Sequence, residues 1–293
     1  MTDKYLFGLV GYPLAHSLSP LIHSAALLAL DLQGEYRLYP IEDEQGLPDL
    51  VKQLRLGALQ GLNVTIPYKR SVLELMDVLT PSAQSIGAVN TISYQQNQLI
   101  GANTDAGGFL ADLRRMGWFP KADRLRHALV LGAGGSARAV VYTLAQQGWQ
   151  LTIAARRREQ AENLAKSSRE TANSEGDQIS VEGIQMEKTS LSRLTPPADL
   201  IINTTPLGMS PQKNLSPWPS DLALPPQAAV YDLVYNPVET LLLRTAREAG
   251  LRAASGLGML VEQAALSFEI WTGLPAPRTE MHTSLTAFQR GAR

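Results

Sequence analysis

Apolar runs alternate with amphipathic stretches from the start of the chain. YLFGLV (5–10) is unbroken, too short for a helix, and reads as a buried strand. A helix is expected from Ser19 to Gly34: serine at its N-cap, Pro20 at the first helical position, apolar LIHSAALLALDL, then a stopping glycine. EYRLYPI (35–41) and GLNVTIP (61–67) are strand-like, LPDLVKQLRLG (47–57) and SVLELMDVL (71–79) helical, and NTISYQ with QLIGAN a hairpin pair. This β-α-β-α order implies an α/β layer with parallel strands. From about residue 106 a helix leads to HALVLGAGGSARAVVYTLAQQGWQLTIAARR (127–157), in which strand, glycine turn, helix, Gly148 and strand complete a βαβ unit. DLIINT (199–204) and AVYDLVY (229–235) add strands. KSSRETANSEGDQ (166–178) reads as a loop or helix end, and proline-rich 206–226 holds no long helix. Helices follow Asn236-Pro237 as far as Ala249 and again along MLVEQAALSFEIWTG (259–273).

Composition changes this picture little. A chain of 293 residues, 44% hydrophobic and 18% charged, has core enough for two domains. A net charge of −1 supplies no field for nucleic acid or anionic lipid. The absence of cysteine excludes disulfides, thiolate nucleophiles and cysteine-bound zinc. No apolar run approaches the length of a membrane span or a signal-peptide core, so a cytoplasmic protein is expected.

Candidate chemistry concentrates at strand ends. In VLGAGGSARAV (130–140), Gly132, Ala133, Gly134, Gly135, Ser136 and Ala137 fit G-x-G-x-x-G/A between a strand and a helix. Gly132 allows the tight turn, Gly134 lets backbone amides reach a pyrophosphate, and Ala137 permits close helix–strand packing. Dinucleotide binding is the reading; a glycine turn that binds nothing, or another nucleotide, is the alternative. The second strand ends in Arg156, Arg157 and Arg158, where a carboxylate would mark NAD. Guanidinium forks suit the 2′-phosphate of NADP, against a solvated charge run as the alternative. Ser17 and Ser19 precede a helix and could bind a carboxylate or polyol, although Ser19 also reads as a cap. His16 and His23 read as packing or surface residues, and no third metal ligand stands at a useful spacing. Asn90-Thr91 and Asn103-Thr104-Asp105, with Asn63 to Lys69, bring amides, hydroxyls and a lone lysine to the ends of apolar strands. In an open parallel sheet such ends converge on the ligand crevice.

Taken in order, these motifs resemble the shikimate dehydrogenases along nearly the whole chain. The likeness rests on Ser17 and Ser19 (S-x-S), Asn63 to Lys69 (N-V-T-x-P-x-K), Asn90 (G-A-V-N-T), Asn103 to Asp105 (N-T-D) and Gly132 to Ala137. It continues through Asn203 to Met209 (N-T-T-P-x-G-M), Tyr231 to Thr240 (Y-D-x-x-Y-N-P-x-x-T) and Gly256 to Gln263 (G-x-G-M-L-x-x-Q). The resemblance implies a two-domain α/β fold, an α/β substrate-binding domain with a Rossmann-type NADP-binding domain inserted, and reduction of 3-dehydroshikimate to shikimate. It implies Lys69 and Asp105 as the catalytic pair, with Ser17, Ser19, Asn63, Thr65, Asn90, Tyr235 and Gln263 around the substrate. Thr204, Met209, Gly256 and Met259 would line the nicotinamide side, and Arg156 and Arg157 the 2′-phosphate. Residues 1–105 with 239–293 are expected as one domain and 106–238 as the other, since Gln263 reaches the Ser17 site only if the C-terminal helices return. The chain departs from the family's pattern at Ser24, at Ala155 and Arg157, and at Ser255. A quinate-active paralogue, a dinucleotide-sensing regulator and a glycine-loop methyltransferase are the other readings; an intact Lys69 and Asp105 disfavour the regulator, and the arginines the methyltransferase. A small-molecule substrate, no metal, no nucleic acid, no membrane and a monomer or homodimer complete the expectations.

Overall fold

The computed structural model describes residues 4–118, 126–174 and 179–291. In chain order it runs through β1 (Tyr5–Gly11), α1 (Ser19–Ala29), β2 (Gly34–Pro40), α2 (Leu47–Arg55), β3 (Gly61–Val64), β4 (Val78–Leu79), α3 (Pro81–Ile86), β5 (Thr91–Gln95), β6 (Gln98–Ala102) and α4 (Thr104–Arg115). Then come β7 (His127–Leu131), α5 (Gly135–Gln146), β8 (Gln150–Ala155), α6 (Arg158–Ser174), β9 (Val181–Gln185), α7 (Lys188–Ser192), β10 (Leu200–Asn203), β11 (Ala229–Asp232), α8 (Leu241–Glu248), β12 (Ala253–Ser255), α9 (Leu257–Thr272) and α10 (Arg278–Gly291). The chain divides into two compact units, Met1–Ala111 with Gly258–Arg293, and Asp112–Leu257. Residues 239–257, expected with the first unit, pack in the second, because Leu242, Leu243 and Ala246 of α8 bury into the same core as Val230 of β11.

The first unit holds a six-stranded sheet in the order β2-β1-β3-β5-β6-β4. It is mixed rather than parallel: β5 runs antiparallel to β3 and to β6. Gln96 and Asn97, both at positive φ, close the expected β5–β6 hairpin. The expected helix over 71–79 is instead a short 3₁₀ turn (Ser71–Leu75) and β4, which pairs with β6. Ser19 is not a cap. α1 starts at Ser19 itself, and Ser17 Oγ accepts from the Ser19 N–H at 3.3 Å. Nor does Gly34 stop α1, which ends at Ala29; Asp31 takes the left-handed turn. Gly34 lies in β2, where a Cβ would stand 2.7 Å from the Tyr5 carbonyl.

The second unit carries an all-parallel sheet, β12-β11-β10-β7-β8-β9. This is the doubly wound order of dinucleotide-binding folds, with its switch point between β7 and β10. Its four central strands are buried on both faces, hence the unbroken apolar runs HALVL and LIIN. The last residues of the polar segment 166–178, from 175 on, fall outside the described residues, and its first part continues α6.

Candidate active site

Register builds the first unit's site. Asn63 near the end of β3 pairs with Thr91 at the start of β5, and Thr91 pairs with Ala102 at the end of β6. Asn90-Thr91 therefore opens a strand rather than ending one, yet the antiparallel reversal delivers it to the same edge as Asn63 and Asn103. Beyond β3, Tyr68 buries its ring and donates its hydroxyl to the Ile41 carbonyl at 2.7 Å, while the Val89 N–H donates to the Lys69 carbonyl at 2.7 Å. Lys69 is thereby held at the sheet edge. Its Nζ lies 2.6 Å from Asp105 Oδ2, with the two side chains only 14% and 7% exposed.

Asp105 sits in the first turn of α4, where the helix dipole favours a carboxylate. Its other oxygen, Oδ1, accepts from Asn90 Nδ2 at 2.9 Å. Asn90 Oδ1 accepts the Thr104 N–H at 2.7 Å, which turns the side-chain amide nitrogen toward Asp105. Behind them lies a buried layer: Tyr36 donates to Asn63 Oδ1 at 2.8 Å, Asn63 Nδ2 reaches Ser267 Oγ at 3.0 Å, and Ser267 Oγ lies 2.8 Å from Thr91 Oγ1. Gly107 and Gly108 within α4 cost helix stability, but a Cβ on Gly108 would stand 2.6 Å from the Gln263 backbone nitrogen. That close approach carries Gln263 on α9 to within 3.4 Å of Asn90 Nδ2. Ser17 and Ser19 share this unit, Ser19 buried and Ser17 half-buried; the Thr65 N–H donates to the Val10 carbonyl of β1.

Asn63, Lys69, Asn90, Asp105 and Gln263 thus come together within one unit, and Tyr235 and Gly256 lie in the other. Met259 is buried at the start of α9. Sequence reading missed Ser267 and Tyr36. Ser267 lies four residues after Gln263, one helical turn along the same face, and that spacing was the available signal. His23 is fully buried, stacked on Tyr36 with ring centroids 4.3 Å apart, and burial pushes its pKa down to about 3. It is a packing residue. Among the described residues no cluster of ligands could hold a metal ion.

In the second unit, Gly132 follows β7 at φ +117°, and a Cβ there would meet Thr204 Oγ1 at 2.4 Å. Thr204 donates its hydroxyl to the Leu131 carbonyl at 2.7 Å, which locks the ends of β7 and β10 together at the switch point. Gly134, the N-cap of α5, has nothing within 4 Å of its hypothetical Cβ, and no side chain caps that helix. Open space before uncapped amides at a helix N-terminus is the cradle a pyrophosphate needs. Ala137 is fully buried against the sheet. Arg156 and Arg157 stand exposed at the end of β8 without an ion pair among the described residues, whereas Arg158 pairs with Glu162 at 2.7 Å. The donor set therefore fits a dinucleotide bearing a 2′-phosphate. Met209 stands exposed after the turn at Gly208, and Gly256 lies so close to Leu233 that a Cβ would stand 2.6 Å from its carbonyl oxygen. Tyr235 follows β11, and burial raises its phenol pKa.

The chain is similar in sequence and in fold to known proteins. The model of the shikimate dehydrogenase substrate binding domain matches residues 9–92, and that of the shikimate 5'-dehydrogenase C-terminal domain matches residues 256–286. The shikimate dehydrogenase (NADP(+)) of Caldanaerobacter subterraneus subsp. tengcongensis is 41% identical over 270 residues, 92% of this chain and 91% of that protein. The crystal structure of shikimate 5-dehydrogenase from Thermus thermophilus with NADP(H) and shikimate superposes with a TM-score of 0.81 at 37% identity, covering 96% and 98% of the two chains. The Listeria monocytogenes shikimate 5-dehydrogenase, in complex with shikimate and NAD, gives a TM-score of 0.83 at 32% identity, with 96% of each chain covered.

Proposed function

The chain belongs to the shikimate dehydrogenase family, and on that footing we propose that it catalyses the reversible, NADP-dependent reduction of 3-dehydroshikimate to shikimate. The observation that carries the reading is the Lys69–Asp105 pair, 2.6 Å apart at a sheet edge, with Asn90 on the second carboxylate oxygen. Bound NADPH supplies the hydride. Lys69, as an ammonium, donates the proton to the nascent alkoxide oxygen, and in the oxidative direction takes it back. Asp105 aims that ammonium, and Asn90 holds Asp105. Ser17, Ser19, Asn63, Thr65, Asn90 and Gln263, with Tyr235, offer the hydroxyls, amides and phenol that a hydroxylated ring carboxylate needs. Backbone amides from Gly132 to Ala137 take the pyrophosphate, Arg156 and Arg157 the 2′-phosphate, and Thr204, Met209, Gly256 and Met259 the nicotinamide side.

This reaction serves the chorismate route to aromatic amino acids. We place the protein in the cytoplasm, beside the NADPH pool it would draw on, as a monomer or homodimer. We also assign residues 1–111 with 258–293 as the substrate-binding domain and 112–257 as the NADP-binding domain. The deciding assay offers shikimate or quinate, each with NADP or NAD. Turnover of shikimate with NADP at least tenfold above the other three combinations is expected; comparable kcat/KM on quinate would make the chain a quinate/shikimate enzyme instead.

A further inference from the structure

The loops after β10 and β11 are knotted around one buried carboxylate. Asn203, the last residue of β10, accepts at Oδ1 from the Thr205 N–H (2.9 Å) and the Thr205 hydroxyl (2.7 Å), and its Nδ2 donates to the Leu207 carbonyl at 3.2 Å. That shapes the turn leading to Met209. The same Nδ2 donates to Asp232 Oδ1 at 2.8 Å, at the end of β11. The Val234 N–H donates to Asp232 Oδ1 at 3.0 Å, fixing the segment that carries Tyr235. Thr240 donates its hydroxyl to Asp232 Oδ2 at 2.7 Å while accepting the Leu243 N–H at the start of α8. Asn203 and Asp232 are wholly buried and Thr240 nearly so. Among the described residues no cation pairs with Asp232, so three neutral donors from three separate segments satisfy it.

We propose that Asp232 is a positioning residue for the nicotinamide half of the cofactor, its carboxylate clasping the loops after β10 and β11 in their binding shape. The inference rests on the cofactor reading given above. In a doubly wound sheet the two mononucleotide halves lie on either side of the switch point. With Arg156 and Arg157 at the end of β8 meeting the adenosine ribose, the other half falls over β10 and β11. Asp232 touches no ligand itself; it acts through Asn203 and Val234.

The test is calorimetric titration with two probes, NADPH and the same molecule lacking nicotinamide, the 2′-phosphate of ADP-ribose. In Asp232→Ala three buried donors lose their acceptor, and NADPH affinity should fall about ten- to a hundredfold, as expected for hydrogen bonds to a charged group. Affinity for the fragment should hold within twofold, an asymmetry that general destabilisation would not produce. Asp232→Asn should recover most of the loss, because an amide keeps one acceptor and the Thr240 hydroxyl can turn to accept from it. Should Asp232→Ala not fold, Thr240→Val removes one donor at constant shape and should weaken NADPH about fivefold with the fragment unchanged. Equal affinity for NADPH in variant and wild type, or equal loss for both probes, overturns the proposal. Failure of the wild type to bind NADPH would instead count against the cofactor reading, and binding without shikimate turnover against the proposed reaction.

Discussion

At the residue scale the pair Lys69–Asp105 is the sharpest test. Positioned acid–base groups contribute about 10²–10⁴-fold. Lys69→Ala should therefore lower kcat by that order while NADPH affinity, measured by fluorescence titration, stays within about twofold of wild type. Arg156 separates the cofactors. A charge-assisted hydrogen bond to phosphate is worth about 1.5–3 kcal/mol, reduced at this exposed position by solvent. Arg156→Ala should raise the KM for NADP roughly tenfold and leave that for NAD unchanged in steady-state assays. Asp232 carries a pH signature as well. Burial raises its pKa from the ordinary 3.8 to about 6, against the opposing pull of Thr240, Val234 and Asn203. The folded chain thus binds this proton more tightly than the unfolded chain does. Below the unfolded value both states are neutral at this site and nothing is lost. As pH rises from about 4 through 6 the folded state must accept a buried charge, and stability falls by about 2–3 kcal/mol. Urea denaturation across that window should show wild type losing stability relative to Asp232→Asn.

At the scale of elements, the glycine turn between β7 and α5 makes two different predictions from one motif. Gly132 at φ +117° has Thr204 Oγ1 in the path of a Cβ, so Gly132→Ala should lower the melting temperature by several degrees, with strain of about 1–3 kcal/mol before the clash is counted. Gly134 has neither a positive φ nor a neighbour. Gly134→Ala should melt with wild type in calorimetry yet bind NADPH at least tenfold more weakly, its methyl standing where the pyrophosphate approaches. This turn was legible in the sequence because glycine, strand and helix signals are all local. The hairpin closed by Gln96 and Asn97 was legible for the same reason. Ser267 was less so: its spacing from Gln263 puts it on the same helix face, but its partners Asn63 and Thr91 lie some two hundred residues earlier. The 71–79 segment was misread because its apolar spacing suits a helix, whereas pairing of Val78 and Leu79 with β6 decides its conformation. Residues Asn90 and Asn103 were named, but the meeting of Asn90 with Asn63 depends on β5 running antiparallel to β3, which no residue pattern announces.

For the whole molecule, the path of the chain matters more than any one contact. It leaves the first unit along α4, builds the second, and comes back with α9. Phe268 of α9 is fully buried, Trp271 stacks on Phe7 of β1 with centroids 4.7 Å apart, and the Trp271 ring also covers Gly61. Residues 1–111 alone therefore lack part of their own core, and deleting one such aromatic costs about 3–5 kcal/mol. Residues 112–257 expressed alone should unfold cooperatively in urea and bind NADPH, whereas 1–111 alone should show no cooperative transition. The same path sets an order of events during synthesis. A ribosome adds about 5–20 residues per second, so the middle of the chain is free to fold while the opening segment, though made first, waits with its β1–β3 face uncovered. Gln263 and Ser267 emerge only after every strand of both sheets, and only then can the amide and hydroxyl layer behind Lys69 close. The nascent chain can hold cofactor before it can hold substrate, and the newly made N-terminal segment is the part that most needs a chaperone's shelter.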